Sequence, residues 1–251
     1  YRIHACIKEE RPREALVVGG GFIGLEMAEN LTRAGVKVTV VEFADHVLGP
    51  LDADMACHVH AYMRRRGIRL LLGRAVAKFL PLPGGQGLTA ELSDGTRLET
   101  GMVLLSVGVR PDTGFIQQAG IETTPRGAIL VDGHMRTSGA GVYAVGDAVQ
   151  VQHLVTGEPA YVPLAGPANK QGRIAADHIA GLSSVYKGSQ GSCILKLFDM
   201  SAGATGLNES AARAAGLDYD KVYLSPASHA TYYPGARSLR IKALFEKGTG
   251  R

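Results

Sequence analysis

The chain has 251 residues, 45% hydrophobic and 20% charged, which excludes disorder as the default and leaves room for one large packed domain or two small ones. The formal net charge is +4, and its densest basic run, Arg64-Arg65-Arg66, has no interleaved aromatics, so nucleic-acid binding is not expected. Three widely spaced cysteines (Cys6, Cys57 and Cys193) point to a reducing compartment rather than a disulfide scaffold, and with no signal peptide or membrane-length apolar run read, a soluble cytoplasmic protein is expected.

In chain order, ALVVG at 15–19 reads as a short apolar strand. A helix follows over 22–34, with Phe22, Ile23, Met27, Ala28, Leu31 and Ala34 at helical spacing and Gly35 as its stop. KVTVVE at 37–42 is rich in β-branched residues and predicts a second strand, so the three elements form a βαβ unit with parallel strands. Residues 52–66 predict a helix with Asp52 as N-cap and Gly67 as stop, followed by a strand in IRLLLG. Between Gly73 and Leu98, turns at PLPGGQG and SDG predict an antiparallel meander whose tight turn is Asp94-Gly95. MVLLSV returns to a buried strand closed by GVRPDT. Beyond it come a short helix (GFIQQAG), strand-like AILVDG and GVYAVGD, a helix from about Pro167 to Ile179, and a Ser- and Gly-rich linker over 183–191. Residues 192–251 read as a separate α+β piece: strand SCILKLF, helix NESAARAAG, strands KVYLS and SLRIKALFE.

Gly19, Gly21 and Gly24 form G-x-G-x-x-G at the point where a strand ends and a helix opens. Gly19 permits the tight turn, Gly21 lets the backbone approach a diphosphate, and Gly24 permits close helix–strand packing. Phe22 and Ile23 lie inside the fingerprint and count with the cofactor-binding residues. The helix N-terminus offers free N–H groups and partial positive charge to a diphosphate. Glu42, ending the next strand, can accept hydrogen bonds from two ribose hydroxyls and would repel a 2′-phosphate, so NAD(H) is favoured over NADP(H). The alternative is a Gly-rich turn that binds nothing, with Glu42 a solvated strand end. ACHVH, with Cys57, His58 and His60, has no second ligand pair, and no metal site is expected. His229 in SHATYY is read as structural, since no nucleophile motif accompanies it.

The fingerprint followed by GLE, then VGVRPDT, GVYAVGDA, PLAGPANKQGR and HATYYPGA, occur in an order that resembles the FAD/NAD(P)-dependent pyridine nucleotide-disulfide oxidoreductases. The similar branch is that of coenzyme A disulfide reductases, NADH oxidases and NADH peroxidases. The resemblance implies an α/β fold with a Rossmann-like NAD-binding domain carrying an antiparallel meander (12–110), the C-terminal half of an FAD-binding domain (111–187), and the N-terminal part of a dimerisation domain (192–251). It also implies a segment of a longer enzyme, lacking the N-terminal FAD half and the end of the dimerisation domain. Cys6 falls where the linker between flavin and NAD halves is expected and does not match the family's redox cysteine.

By resemblance, Gly146 and Asp147 in GVYAVGDA contribute to the FAD site, Asp147 accepting from ribityl or ribose hydroxyls; an Asp capping a turn is the alternative. Gly108, Leu164 and Ala165 count with the cofactor-binding residues. The helix after PLAGP aims its N-terminus at the flavin pyrimidine edge, with Asn169 in its first turn. Glu26 lies near the nicotinamide and flavin rings, or is an exposed helix glutamate. Tyr232 and Tyr233 reach a partner subunit's disulfide site, or serve interface packing. The implied function is hydride transfer from NADH to FAD and onward to a small disulfide such as coenzyme A disulfide, or to oxygen or peroxide, by a protein that is a homodimer at full length. The alternative is a catalytically inactive NAD-binding fragment.

Overall fold

The computed structural model describes residues 2–85 and 87–250; Gln86, in the expected PLPGGQG turn, lies outside the described residues. The chain divides into two compact units: Tyr1–Gly108 with Ile194–Ala202 and Asn208–Arg251, and Val109–Cys193 with Gly203–Leu207.

The first unit opens with α1 (Arg2–Ala5), which runs into a π-helical turn at Cys6–Glu10. Then come β1 (Glu14–Val18), α2 (Phe22–Arg33), β2 (Lys37–Val41), α3 (Ala53–Arg65) and β3 (Arg69–Leu71). A meander follows, β4 (Val76–Pro81), β5 (Leu88–Leu92) and β6 (Arg97–Thr100), and then β7 (Met102–Leu105). β1, β2, β3 and β7 form one parallel sheet in the order β3-β2-β1-β7. The chain thus returns across β1 after the meander, and the carboxyl end of β1 lies where the strand order reverses.

Successive residues of β1 serve opposite faces, as the pleat requires. Ala15 and Val17 join a cluster with Leu25, Ala28, Leu31, Val38, Val40 and Met63, while Leu16 and Val18 join Val41, Ala90 and Leu92 on the meander side. A strand buried on both faces reads as a continuous apolar run, which is how ALVV reads. In α2 the buried residues are Gly24, Leu25, Ala28 and Leu31, whereas Ile23 is 55% exposed and Ala34 lies on the surface. The expected apolar face was therefore rotated: Leu25 belongs to it, Ile23 and Ala34 do not. The turn at Asp94-Gly95 forms as expected, with Leu92 N–H donating to Thr96 O at 2.8 Å and Thr96 N–H to Asp94 Oδ1 at 3.0 Å.

The second unit holds α4 (Gly114–Gln118), β8 (Gln150–Gln152), β9 (Pro159–Tyr161) and α5 (Ala165–Ile179) around Ile129, Val149 and Val151. Two sequence expectations fail here. AILVDG and GVYAVGD form isolated bridges, Ile129 to Thr123 and Val149 and Tyr143 to Arg136, rather than strands. The reason is local: the Asp132 carboxylate takes the N–H groups of His134 (2.8 Å) and Arg136 (3.0 Å), supplying the backbone with side-chain partners instead of a ladder. The 183–191 stretch is not a free linker. Tyr186 N–H donates to Gly133 O at 2.7 Å, Ser189 is buried and bridges His153, and a Cβ at Gly188 (φ +110°) would sit 2.3 Å from Gln152 O. Its glycine serves a close backbone approach rather than flexibility.

The remaining elements are β10 (Cys193–Leu197), β11 (Met200–Ala204), α6 (Glu209–Ala214), β12 (Tyr219–Leu224) and β13 (Ile241–Glu246); β10 pairs with β11 and β12 with β13. Leu195, Leu197 and Phe198 enter the core of the first unit. Tyr62 on α3 accepts Asp199 N–H at 3.0 Å, and the Arg66 guanidinium lies over the Tyr62 and Phe198 rings and pairs with Asp199. The Arg64-Arg66 run thus supplies a docking contact. Asp52 occupies the N-cap position of α3, yet its carboxylate does not cap that helix. It accepts Glu209 N–H at 3.0 and 3.1 Å and pairs with Lys242 at 2.8 Å. Lys242, its side chain 4% exposed, also meets Asp54 and Glu209.

Candidate functional site

The Gly-rich turn follows β1 directly. Gly19 has φ +107°, and a Cβ there would lie 2.4 Å from Ser106 O. A methyl at Gly24 would lie 2.0 Å from Gly19 O, so α2 starts in direct contact with the strand end. A Cβ at Gly21, in contrast, meets nothing within 4 Å. Two glycines are filled in by the protein, and the third faces open space. Gly21 is the N-cap of α2 with no side-chain cap, so the first-turn N–H groups of the helix keep their donors unspent by a capping side chain. Phe22 packs partly against the core, while Ile23 projects outward.

Glu42, just past β2, is brought to this turn. Its Oε2 accepts Gly20 N–H at 2.5 Å and its Oε1 accepts Ala44 N–H at 2.8 Å. A carboxylate has about four lone-pair sites, so each oxygen retains capacity for one further donor. Phe43, the next residue, is 79% exposed. Glu26 lies on the exposed surface of α2, where its carbonyl accepts Asn30 Nδ2–H at 2.7 Å. Gly108 stands exposed at φ +104° beyond β7.

Ser106 was not singled out from sequence. Its hydroxyl faces Val18 O at 2.9 Å and Gly19 O at 3.1 Å, and its N–H donates to Val18 O at 2.8 Å, locking the end of β1 to the strand beside it. A serine inside an apolar run was the available signal. In the sequence, His60 stands out only as a potential metal ligand. It is buried, and its Nε2 accepts Val47 N–H at 3.2 Å, whereas Cys57 and His58 are exposed. Among the described residues no group of three or more His, Cys, Asp or Glu side chains could hold a metal ion.

In the second unit, Gly146 and Asp147 form a 3-10 turn. Gly146 N–H donates to Gln171 Oε1 at 2.7 Å, and Gln171, on α5, is 1% exposed. Gln171 lies in the PLAGPANKQGR stretch, but nothing local marks it; its partner is set by the fold. Asp147 remains exposed, and burial together with its negative charge pushes the Tyr161 phenol up. α5 begins at Ala165 with Leu164 as an uncapped N-cap, earlier than the expected Pro167. Pro167 sits within the first turn, where a missing N–H costs no hydrogen bond. Asn169 Nδ2–H donates to Ala165 O at 3.1 Å and Asn169 is exposed. Tyr232 and Tyr233 stand in the loop joining β12 and β13, 82% and 60% exposed, with ring centroids 4.8 Å apart.

Among the described residues no helix is long and apolar enough to cross a membrane. Residues 4–172 match the family model for pyridine nucleotide-disulphide oxidoreductases. The CoA-dependent NAD(P)H sulfur oxidoreductase of Pyrococcus abyssi is 30% identical over 250 residues, 99% of this chain and 55% of that protein. The crystal structure of reduced Bacillus anthracis CoADR-RHD is 40% identical with a TM-score of 0.94, covering 99% of this chain and 44% of that one. The water-forming NADH oxidase of Lactobacillus brevis, solved bound to NADH, is 29% identical with a TM-score of 0.88, covering 97% of this chain and 54% of that one. The chain spans about half the length of the relatives it matches. The ordered motifs, the parallel sheet with its glycine turn and these likenesses agree: the chain belongs to the pyridine nucleotide-disulphide oxidoreductase family.

Proposed function

We propose that this chain supplies the NAD(H) site and part of the flavin site of an oxidoreductase that passes hydride from NADH to FAD and on to a small disulfide such as coenzyme A disulfide, or to oxygen or peroxide. The observation that carries this reading is the contrast within the fingerprint: Gly19 and Gly24 are occupied by protein, and the space a Cβ at Gly21 would fill is open. That space lies at the start of α2, where backbone donors and the helix dipole favour a diphosphate. Glu42, already fixed by two backbone N–H groups, takes the adenosine ribose hydroxyls on its remaining lone pairs and disfavours a 2′-phosphate. The exposed Phe43 ring offers the adenine an apolar neighbour.

For the flavin, Asp147 offers an exposed carboxylate to hydroxyl donors, and Leu164 and Ala165 open α5 with no capping side chain. Bound together, the nicotinamide and the flavin supply the redox chemistry; the chain binds, orients and shields them. Glu26, Gly108, Asn169 and the Tyr232-Tyr233 pair are assigned to this machinery on the family pattern. The relatives include a CoA-dependent NAD(P)H sulfur oxidoreductase and a water-forming NADH oxidase, and a disulfide is our first choice of acceptor.

We place the protein in the cytoplasm, in keeping with its three free cysteines. A homodimer is supported by the apolar surface of the last hairpin, where Tyr223, Leu224, Ile241 and Phe245 are all exposed. The test is the protein produced from its complete gene. It is expected to be yellow and to oxidise NADH with a lower KM than NADPH; a colourless preparation without NADH turnover overturns the reading.

A further inference from the structure

We propose that His60 is a positioning residue for the dinucleotide site: its neutral imidazole holds the 43–51 loop against the Gly-rich turn, so that protonating it weakens nucleotide binding. This rests on the nucleotide reading of that turn. His60 lies on α3, outside the fingerprint, and is 8% exposed. Its Nε2 accepts Val47 N–H at 3.2 Å. The next residue, Leu48, donates its N–H to Gly20 O at 3.0 Å. Gly20 in turn donates to Glu42 Oε2, and Ala44 to Glu42 Oε1. Val47 also packs on the turn, its Cγ1 lying 2.7 Å from where a Cβ at Gly20 would stand. The imidazole, the loop, the glycine turn and the ribose-binding carboxylate thus form one connected hydrogen-bonded path.

The loop needs a hold at this point. Leu48 sits at φ +56°, in the left-handed region that a leucine adopts only at a cost, and Val47 and Leu48 are both buried. An imidazolium has two N–H donors and no acceptor, so protonation would set a donor against Val47 N–H. The charged groups acting on His60 are Arg64 from its own helix and His46 and Asp45 from the loop. Burial, Arg64 and His46 favour the neutral ring and Asp45 opposes them, so His60 titrates below the ordinary imidazole range. The hold is therefore lost only as pH falls below about 6.5.

The experiment uses the protein from its complete gene with excess FAD, and ADP-ribose as the probe, followed by calorimetry. Wild-type affinity is expected to fall about tenfold between about pH 7.5 and about pH 5. His60→Gln, whose carboxamide oxygen accepts the Val47 N–H without titrating, is expected to bind within about threefold of wild type at the higher pH and to lose the His60-linked fall. A fall of the same size in both proteins overturns the inference. A second measurement needs no variant: by reciprocity, saturating ADP-ribose lowers the His60 titration midpoint followed by NMR. Simple attraction to the diphosphate would raise it, and an unchanged or raised midpoint overturns the inference. Absence of ADP-ribose binding at the higher pH fails the nucleotide reading and the inference with it, whereas binding with a shared pH profile fails the His60 inference alone.

Discussion

The two compact units bury their chains by different means. In the first, β1 is hydrogen-bonded on both edges and covered on both faces, and four of its five residues are buried. In the second, the fully buried positions are few, and much of the backbone is satisfied by isolated bridges and side chains such as Asp132, Thr113 and Gln171. A region of the first kind is held by many small apolar contributions. A region of the second kind depends on individual polar contacts, each costly to leave unmade when buried.

Substitutions can break or sharpen that contrast. The largest effect is expected at Lys242, where three carboxylates converge on one buried cation. Lys242→Ala should destabilise the first unit by about 3–5 kcal/mol, read by denaturant melting, because Asp52 and Asp54 lose their cation while Glu209 keeps Lys221 and Arg213. Gly24→Ala comes next: its methyl meets a carbonyl oxygen at 2.0 Å, and about 3 kcal/mol of stability should be lost. Gly21→Ala sharpens the same point. It should cost less than about 1 kcal/mol of stability, as a poorer N-cap, and on the nucleotide reading weaken NADH binding, since the space its methyl would enter is open. Equal melting losses for the two alanine variants would refute the division of roles within the turn.

In the second unit a single polar change should suffice. Gln171→Leu keeps the volume but removes the acceptor for Gly146 N–H, with an expected cost of about 1–3 kcal/mol and a lowered flavin content. The smallest effect expected is one of pH. Lys221, with Lys242 and Tyr219, holds the Glu209 carboxyl well below the usual carboxylate range. A carboxyl depressed in the folded state contributes stability above its unfolded value of about 4.3, and that stability is lost as pH falls below it. Acid melting of the first unit should therefore be steeper below about pH 4 in wild type than in Glu209→Gln.

The contrast also explains what could be read from sequence. The parallel sheet was legible because its strands are short apolar runs, β-branched in β1 and β2, and the fingerprint because its glycines are fixed by local geometry. Glu42 was legible as the acid at a strand end. Ser106, Gln171 and His60 were not, because their partners lie far along the chain: Ser106 answers Val18, Gln171 answers Gly146, and His60 answers Val47. AILVDG and GVYAVGD read as strands because their composition is apolar; the Asp132 turn that displaces the ladder depends on where Met135 (φ +65°) and Gly141 (φ +75°) redirect the backbone. The 183–191 stretch read as a linker because serine and glycine fill it, yet the same small residues permit tight packing against Gln152.

The cluster at the start of α3 carries a consequence for synthesis. Asp54 waits for a cation that is 188 positions further along, so a nascent chain that has already formed its parallel sheet still presents an unneutralised acidic corner. Completion of that corner requires β13, so Asp52 and Asp54 gain their shared cation only after that strand has been synthesised.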